Sequence, residues 1–148
     1  MQYLKQYILL TVAIGLLLLN GCSKGINPEA STAIPNVSVH LSININSSPY
    51  TPLQTIGGIV YVNGGNRGIM LYRRDASTIM AYDRTCSYDL SDAQGIVDAQ
   101  NNGTAICLEC SSTYSLYNGN VNTGPSTIGL KSYSDSFNPG SGQLTVTN

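Results

Sequence analysis

Charge is scarce in these 148 residues: only 10% are charged, and seven Lys and Arg against eight Asp and Glu leave a net charge of -1. A nucleic-acid surface, or an electrostatic funnel for an anionic partner, needs clustered positive charge. Neither is expected. The Arg73-Arg74 pair falls in a hairpin where turns commonly carry charge, and it reads as a solvated turn. Imidazole is scarcer still. With His40 the only histidine, and with carboxylates few and mostly in turns, no Ser-His-Asp constellation can be drawn and no enzyme is expected. Tryptophan is absent and phenylalanine occurs once. Beyond the N-terminal apolar run, no stretch of about ten residues keeps a helical period, which argues against a helix-based cofactor site. Gly64 and Gly65 precede neither a helix nor a Lys-Ser/Thr pair, so they are turn residues and not a phosphate loop.

What the chain has instead is ten Tyr and 15 Gly, with many Ser, Thr and Asn, a composition suited to pleated strands joined by polar turns. Residues 36–45 alternate strictly. Val37, Val39, Leu41, Ile43 and Ile45 share one face, and Ser38, His40, Ser42 and Asn44 the other, which predicts a half-buried strand with His40 in solvent. Residues 59–63 and 69–73 flank Asn63-Gly64-Gly65-Asn66, a stretch that supplies the positive φ values of tight hairpins. A second hairpin is predicted from 70–72 to 79–82. Further short runs lie at 95–98, 105–108, 114–117, 128–133 and 144–147. Strands at this spacing predict an all-β barrel or sandwich, and the length suits one domain.

The N-terminus has a different character. Lys5 precedes an apolar run over residues 7–19, which fits the charged region and the roughly 7–15-residue core of a secretory signal. It falls short of the about 20 residues of a transmembrane helix. Leu19-Asn20-Gly21-Cys22 resembles the lipobox of bacterial lipoproteins. That resemblance implies a diacylglycerol on the Cys22 thiol, cleavage just before it and acylation of the new amine. Each buried methylene is worth about 0.8 kcal/mol, so several chains anchor where one is marginal. An ordinary secreted protein with an incidental Cys22 is the alternative. Ser23 in place of Asp implies no inner-membrane retention, hence the outer membrane, with the periplasm-facing leaflet expected. The expected organisation is a signal peptide over 1–21, an acylated Cys22 and flexible tether over 22–35, and a β domain over 36–148.

Three cysteines remain: Cys86, Cys107 and Cys110. In an exported chain, Cys-x-x-Cys suggests a disulfide, a metal site or a redox pair. The thioredoxin-like version is weakest, because no helix pattern follows Cys110 to activate a thiol. The order Cys86-Ser87-Tyr88, then Cys107-Leu108-Glu109-Cys110-Ser111-Ser112-Thr113-Tyr114, then Asn118-Gly119 and Gly124-Pro125 resembles the Rieske iron–sulfur domain. In that family the two loops read Cys-x-His and Cys-x-x-His. The similarity spans residues 57–147 and implies a small all-β fold with two cluster-binding loops. Both histidine positions are changed here, to Tyr88 and Cys110, so the two-Cys, two-His centre cannot be built.

Three readings follow. In the first, the site is degenerate and without cofactor, closed by a disulfide, and the protein has a structural or accessory role. The resemblance pairs Cys86 with Cys107, while Cys86–Cys110 and Cys107–Cys110 stay open, and the closed loop would contribute about 3 kcal/mol. In the second, the three thiolates, with Asp89, Tyr88 or solvent, hold zinc or an iron–sulfur cluster of altered ligation, and iron would make the protein an electron carrier. In the third, the domain is an unrelated β-sandwich. Gly124 and Pro125, over the former cluster site, are the candidate contact with an unidentified periplasmic protein. The first reading is the main expectation.

Overall fold

A computed structural model describes residues 34–88, 90 and 94–148. The expected signal segment, Cys22, Asp89 and most of the expected tether lie outside the described residues. Ten strands form three antiparallel sheets among the described residues, and there is no α-helix among them. The first sheet joins β1 (His40–Asn44), β10 (Gln143–Thr147) and β9 (Ser134–Asn138), with Ile43 opposite Leu144 and Leu144 opposite Phe137. The second runs β2 (Ile59–Val62), β3 (Ile69–Arg73), β4 (Ile79–Asp83). The third runs β5 (Val97–Gln100), β6 (Thr104–Cys107), β7 (Thr113–Ser115), β8 (Val121–Thr123). The all-β expectation holds.

The central sheet explains the layering. Every residue of β3 is buried, because its two faces serve two cores. Ile69 and Leu71, with Ile79 and Ala81 of β4, meet Ile43, Leu144 and Val146 of the first sheet. Met70, Tyr72 and Tyr82 point the other way and meet Val97, Ala105, Cys107 and Tyr114 of the third sheet. Side chains alternate across a strand, so a continuous apolar run is what a strand buried on both faces requires. Both predicted hairpins form, with Val62 opposite Ile69 and Arg73 opposite Ile79. At Gly65, φ is +62° and a Cβ would fall 2.4 Å from both Asp83 Oδ2 and Tyr133 Oη. That turn therefore needs glycine for close approach as well as for conformation.

Several expectations need correction. Arg73 is buried at 7% exposure: its guanidinium lies 4.3 Å from the Phe137 ring centroid and Nη2 donates to Ala76 O at 2.6 Å. Only Arg74 behaves as a turn cation, paired with Asp75 at 3.0 Å. The run 128–133 forms no strand. It passes the β4 edge with one bridge, Ser132 to Tyr82, giving Leu130 to one core and Tyr133 to the other. The strands β8 and β9 were not expected from the sequence. His40 is exposed on β1, as predicted.

Candidate metal centre

Two loops bring the cysteines together. The first leaves β4 through Asp83, a buried carboxylate whose Oδ1 accepts from Thr85 N at 2.9 Å and thereby turns the chain. Its Oδ2 accepts from Asn66 N at 2.7 Å and from Tyr133 Oη at 2.6 Å. Burial pushes this carboxyl up, but the donors of Thr85, Tyr133 and Asn66 outweigh it and hold it below its ordinary range. Thr85 bridges Ile96 and Cys86 N donates to Gly95 O at 2.8 Å. Arg67 reaches across from the β2–β3 turn, Nη1 to Gly95 O at 2.7 Å and Nη2 to Leu90 O at 3.0 Å, fixing the far side of this loop.

The second loop leaves β6 at Cys107. Cys107 N donates to Ser112 O at 2.8 Å and Ser111 N to Cys107 O at 3.0 Å, closing a tight turn with Ser111 at φ +60°. The turn swings Cys110 back toward Cys86, and their Sγ atoms lie 3.5 Å apart. All three sulfurs lie within 4.8 Å of one another. Cys86 and Cys107 are fully buried, whereas Cys110 is half-buried.

A ring of hydroxyls surrounds the sulfurs. Tyr114 Oη lies 3.7 Å from Cys86 Sγ and 3.4 Å from Ser87 Oγ. Ser112 Oγ lies 3.1 Å from Cys110 Sγ and accepts from Ser126 N at 2.8 Å. Ser126 Oγ in turn lies 3.1 Å from Ser87 Oγ, and Ser87 Oγ donates to Ile128 O at 2.6 Å. The segment after Gly124-Pro125 is thus latched to both cysteine loops through Ser126, while Gly124 and Pro125 themselves are exposed. Sequence reasoning placed Ser87, Ser112 and Tyr114 inside the motif without a role and missed Ser126. The small, polar, otherwise unremarkable character of that serine gives no signal of its own.

The thiols differ in acidity. Burial pushes Cys107 up to about 12. Burial also raises Cys110, but the Ser112 hydroxyl and backbone N–H, with the neighbouring thiols, outweigh it and bring it below its ordinary value. Cys110 is therefore the more acidic of the two. Tyr114 is pushed up to about 12, chiefly by burial, and so keeps its proton as a donor at neutral pH.

Among the described residues there is no disulfide. A bonded pair needs sulfurs about 2.05 Å apart, whereas all three cysteines are free thiols facing one shared centre. This differs from the expected Cys86–Cys107 staple. Tyr88, at the first changed histidine position, is half-buried against the apolar residues around the site. No imidazole can join: His40 is on β1, whose sheet packs on the opposite face of the central sheet. The Rieske ligand set is therefore absent.

No family model matches the chain, and no curated protein does. Solved structures that overlay on it include a chain of the complex of reduced oxygenase and oxidised ferredoxin in carbazole 1,9a-dioxygenase, with a TM-score of 0.49 and 18% identity over 74% of this chain and 93% of that one. The ferredoxin of carbazole 1,9a-dioxygenase from Nocardioides aromaticivorans gives 0.48 and 14% over 74% and 95%. A chain assigned as the small subunit of an NADH-dependent nitrite reductase from Mycobacterium tuberculosis gives 0.45 and 18% over 76% and 97%. Overlays at this level do not identify a site, and the weight falls on the sulfur geometry.

Proposed function

We propose that this chain is a lipid-anchored, metal-binding protein of Rieske-like design, with Cys86, Cys107 and Cys110 as ligands and Cys22 as the anchor. The observation that carries the reading is the convergence of three sulfurs within 4.8 Å, two of them fully buried. Three convergent, mostly buried thiols are a soft donor set, and thiolate clusters are the natural hosts of soft metals. This favours the metal-bearing alternative over a stapled site without cofactor. No catalytic role is proposed, since the sole histidine is exposed on β1.

The hydroxyls of Tyr114 and Ser112 beside two of the sulfurs support a second reading, electron transfer, because hydrogen bonds to ligating sulfurs set the potential of a redox metal. The supporting argument for the anchor is the lipobox-like sequence ending at Cys22; the reading places the β domain at the outer membrane, facing the periplasm. Among the described residues no helix is long and apolar enough to cross a membrane. A periplasmic protein partner would meet the Gly124-Pro125 face, followed in sequence by Ile128, which is 43% exposed.

The test is metal analysis and native mass of the protein extracted anaerobically from membranes, with thiol alkylation before and after chelation. Bound metal, and three thiols that become alkylatable only after its removal, is the expected result. A metal-free protein two protons light, with one alkylatable site thiol, would overturn it. Should iron be found, absorbance that dithionite does not change would sink the electron-transfer reading.

A further inference from the structure

The Rieske ligand set needs two pairs of donors, one pair for each of two irons. This chain supplies three sulfurs, and they do not divide into a pair and a distant third. Cys110 Sγ, from the second changed histidine position, lies 3.5 Å from Cys86 Sγ, and no separation within the triad exceeds 4.8 Å. Donors to two irons must stand further apart than donors to one. For one tetrahedral ion with metal–sulfur bonds of about 2.3 Å, neighbouring sulfurs sit about 3.8 Å apart, which is the scale of this triad. The cluster of the fold family does not fit these residues, and a single ion does.

We propose that Cys86, Cys107 and Cys110 form a mononuclear three-thiolate site for one thiophilic closed-shell ion, Zn2+ or Cu+. The proposal rests on the metal-binding reading above and narrows it. Three thiolates form a soft donor set that prefers these ions to hard cations. Among the described residues no carboxylate or imidazole joins the sulfurs. Cys110 is the sole site cysteine with solvent access, so exchangeable ligands approach on its side. A zinc ion would complete its shell there with solvent or an added thiolate, whereas a cuprous ion is satisfied by three sulfurs.

The test uses the full chain carrying Cys22→Ser, so that the site holds its only thiols, purified reduced and without oxygen. Separate samples receive Zn2+, Cu+, or ferrous iron with sulfide, and a Co2+ sample reports thiolate number through its sulfur-to-metal charge-transfer band. The expected result is one zinc or one copper per chain, all three thiols protected from alkylation, and at least a hundredfold loss of affinity in Cys110→Ser with the fold retained by circular dichroism. Whichever of the two ions binds more tightly under competition identifies the metal. Stable uptake of two irons and two sulfides in preference to either ion would overturn the single-ion site and leave the metal-binding reading standing. Failure to take up metal in every sample, with three reduced thiols demonstrated, would overturn both.

Discussion

Asp83 does more structural work than its place in a β-strand suggests. It is fully buried, and its four donors come from the Thr85 backbone and hydroxyl, Asn66 N and Tyr133 Oη. One carboxylate therefore ties the β2–β3 turn, the exit toward Cys86 and the segment after residue 128. Its folded pKa is lowered, so its contribution is complete above the ordinary carboxylate value of about 4 and is lost as pH falls through the lower folded value. Asp83→Asn should cost on the order of 3 kcal/mol at pH 7, since a buried charge-assisted network loses its charge and one of its two acceptor oxygens becomes a donor. In urea unfolding the gap between variant and wild type should shrink below about pH 4. A gap that widens with acid would show that Asp83 is not ionised in the folded protein.

Among the elements, β3 sits where both cores meet. Leu71→Ala in its middle, at 0% exposure, should cost about 2–5 kcal/mol, read as a shift in urea midpoint. Ile128→Ser on the exposed latch segment should change stability by less than about 0.5 kcal/mol. Equal effects at both sites would contradict the layering. β1 and β10, which alternate, β2 and β3, which flank the Gly64-Gly65 turn, and β4, which follows the Asp75-Ala76-Ser77 turn, were legible in the sequence because each carries its own pattern. The strand β9 was not: Ser-Asp-Ser-Phe-Asn has one apolar anchor, Phe137, and is a strand because β10 supplies a partner. Residues 128–133 had the opposite fate, apolar enough to suggest a strand but divided between two cores. In the site, Cys86, Cys107 and Cys110 were legible from spacing. Their state was not, because whether sulfurs pair or converge depends on loop geometry, and Arg73 was misread because Phe137, its aromatic cover, is 64 residues away in sequence.

At the scale of the whole molecule, the proposed organisation places the described β domain on a lipid tether. Cys22→Ser should move the protein from the membrane pellet to the soluble fraction without changing the domain's circular dichroism. Firm membrane association of that variant would refute the lipid anchor. The site itself is assembled from distant parts. Cys86 and Cys110 are 24 residues apart, and the Ser126 and Ile128 groups that latch the first loop lie 39 and 41 residues beyond Ser87. Contacts between remote segments form only after the chain has accepted the entropy cost of bringing them together. The thiols are consequently bare in the early folding chain and sheltered in the finished one, so the order of events during biogenesis matters. On the proposed metal-binding reading, metal that arrives before latching finds three open ligands. An oxidant that arrives first finds two thiols destined for contact, takes two electrons and two protons from them, and leaves a bonded pair that no longer accepts the ion.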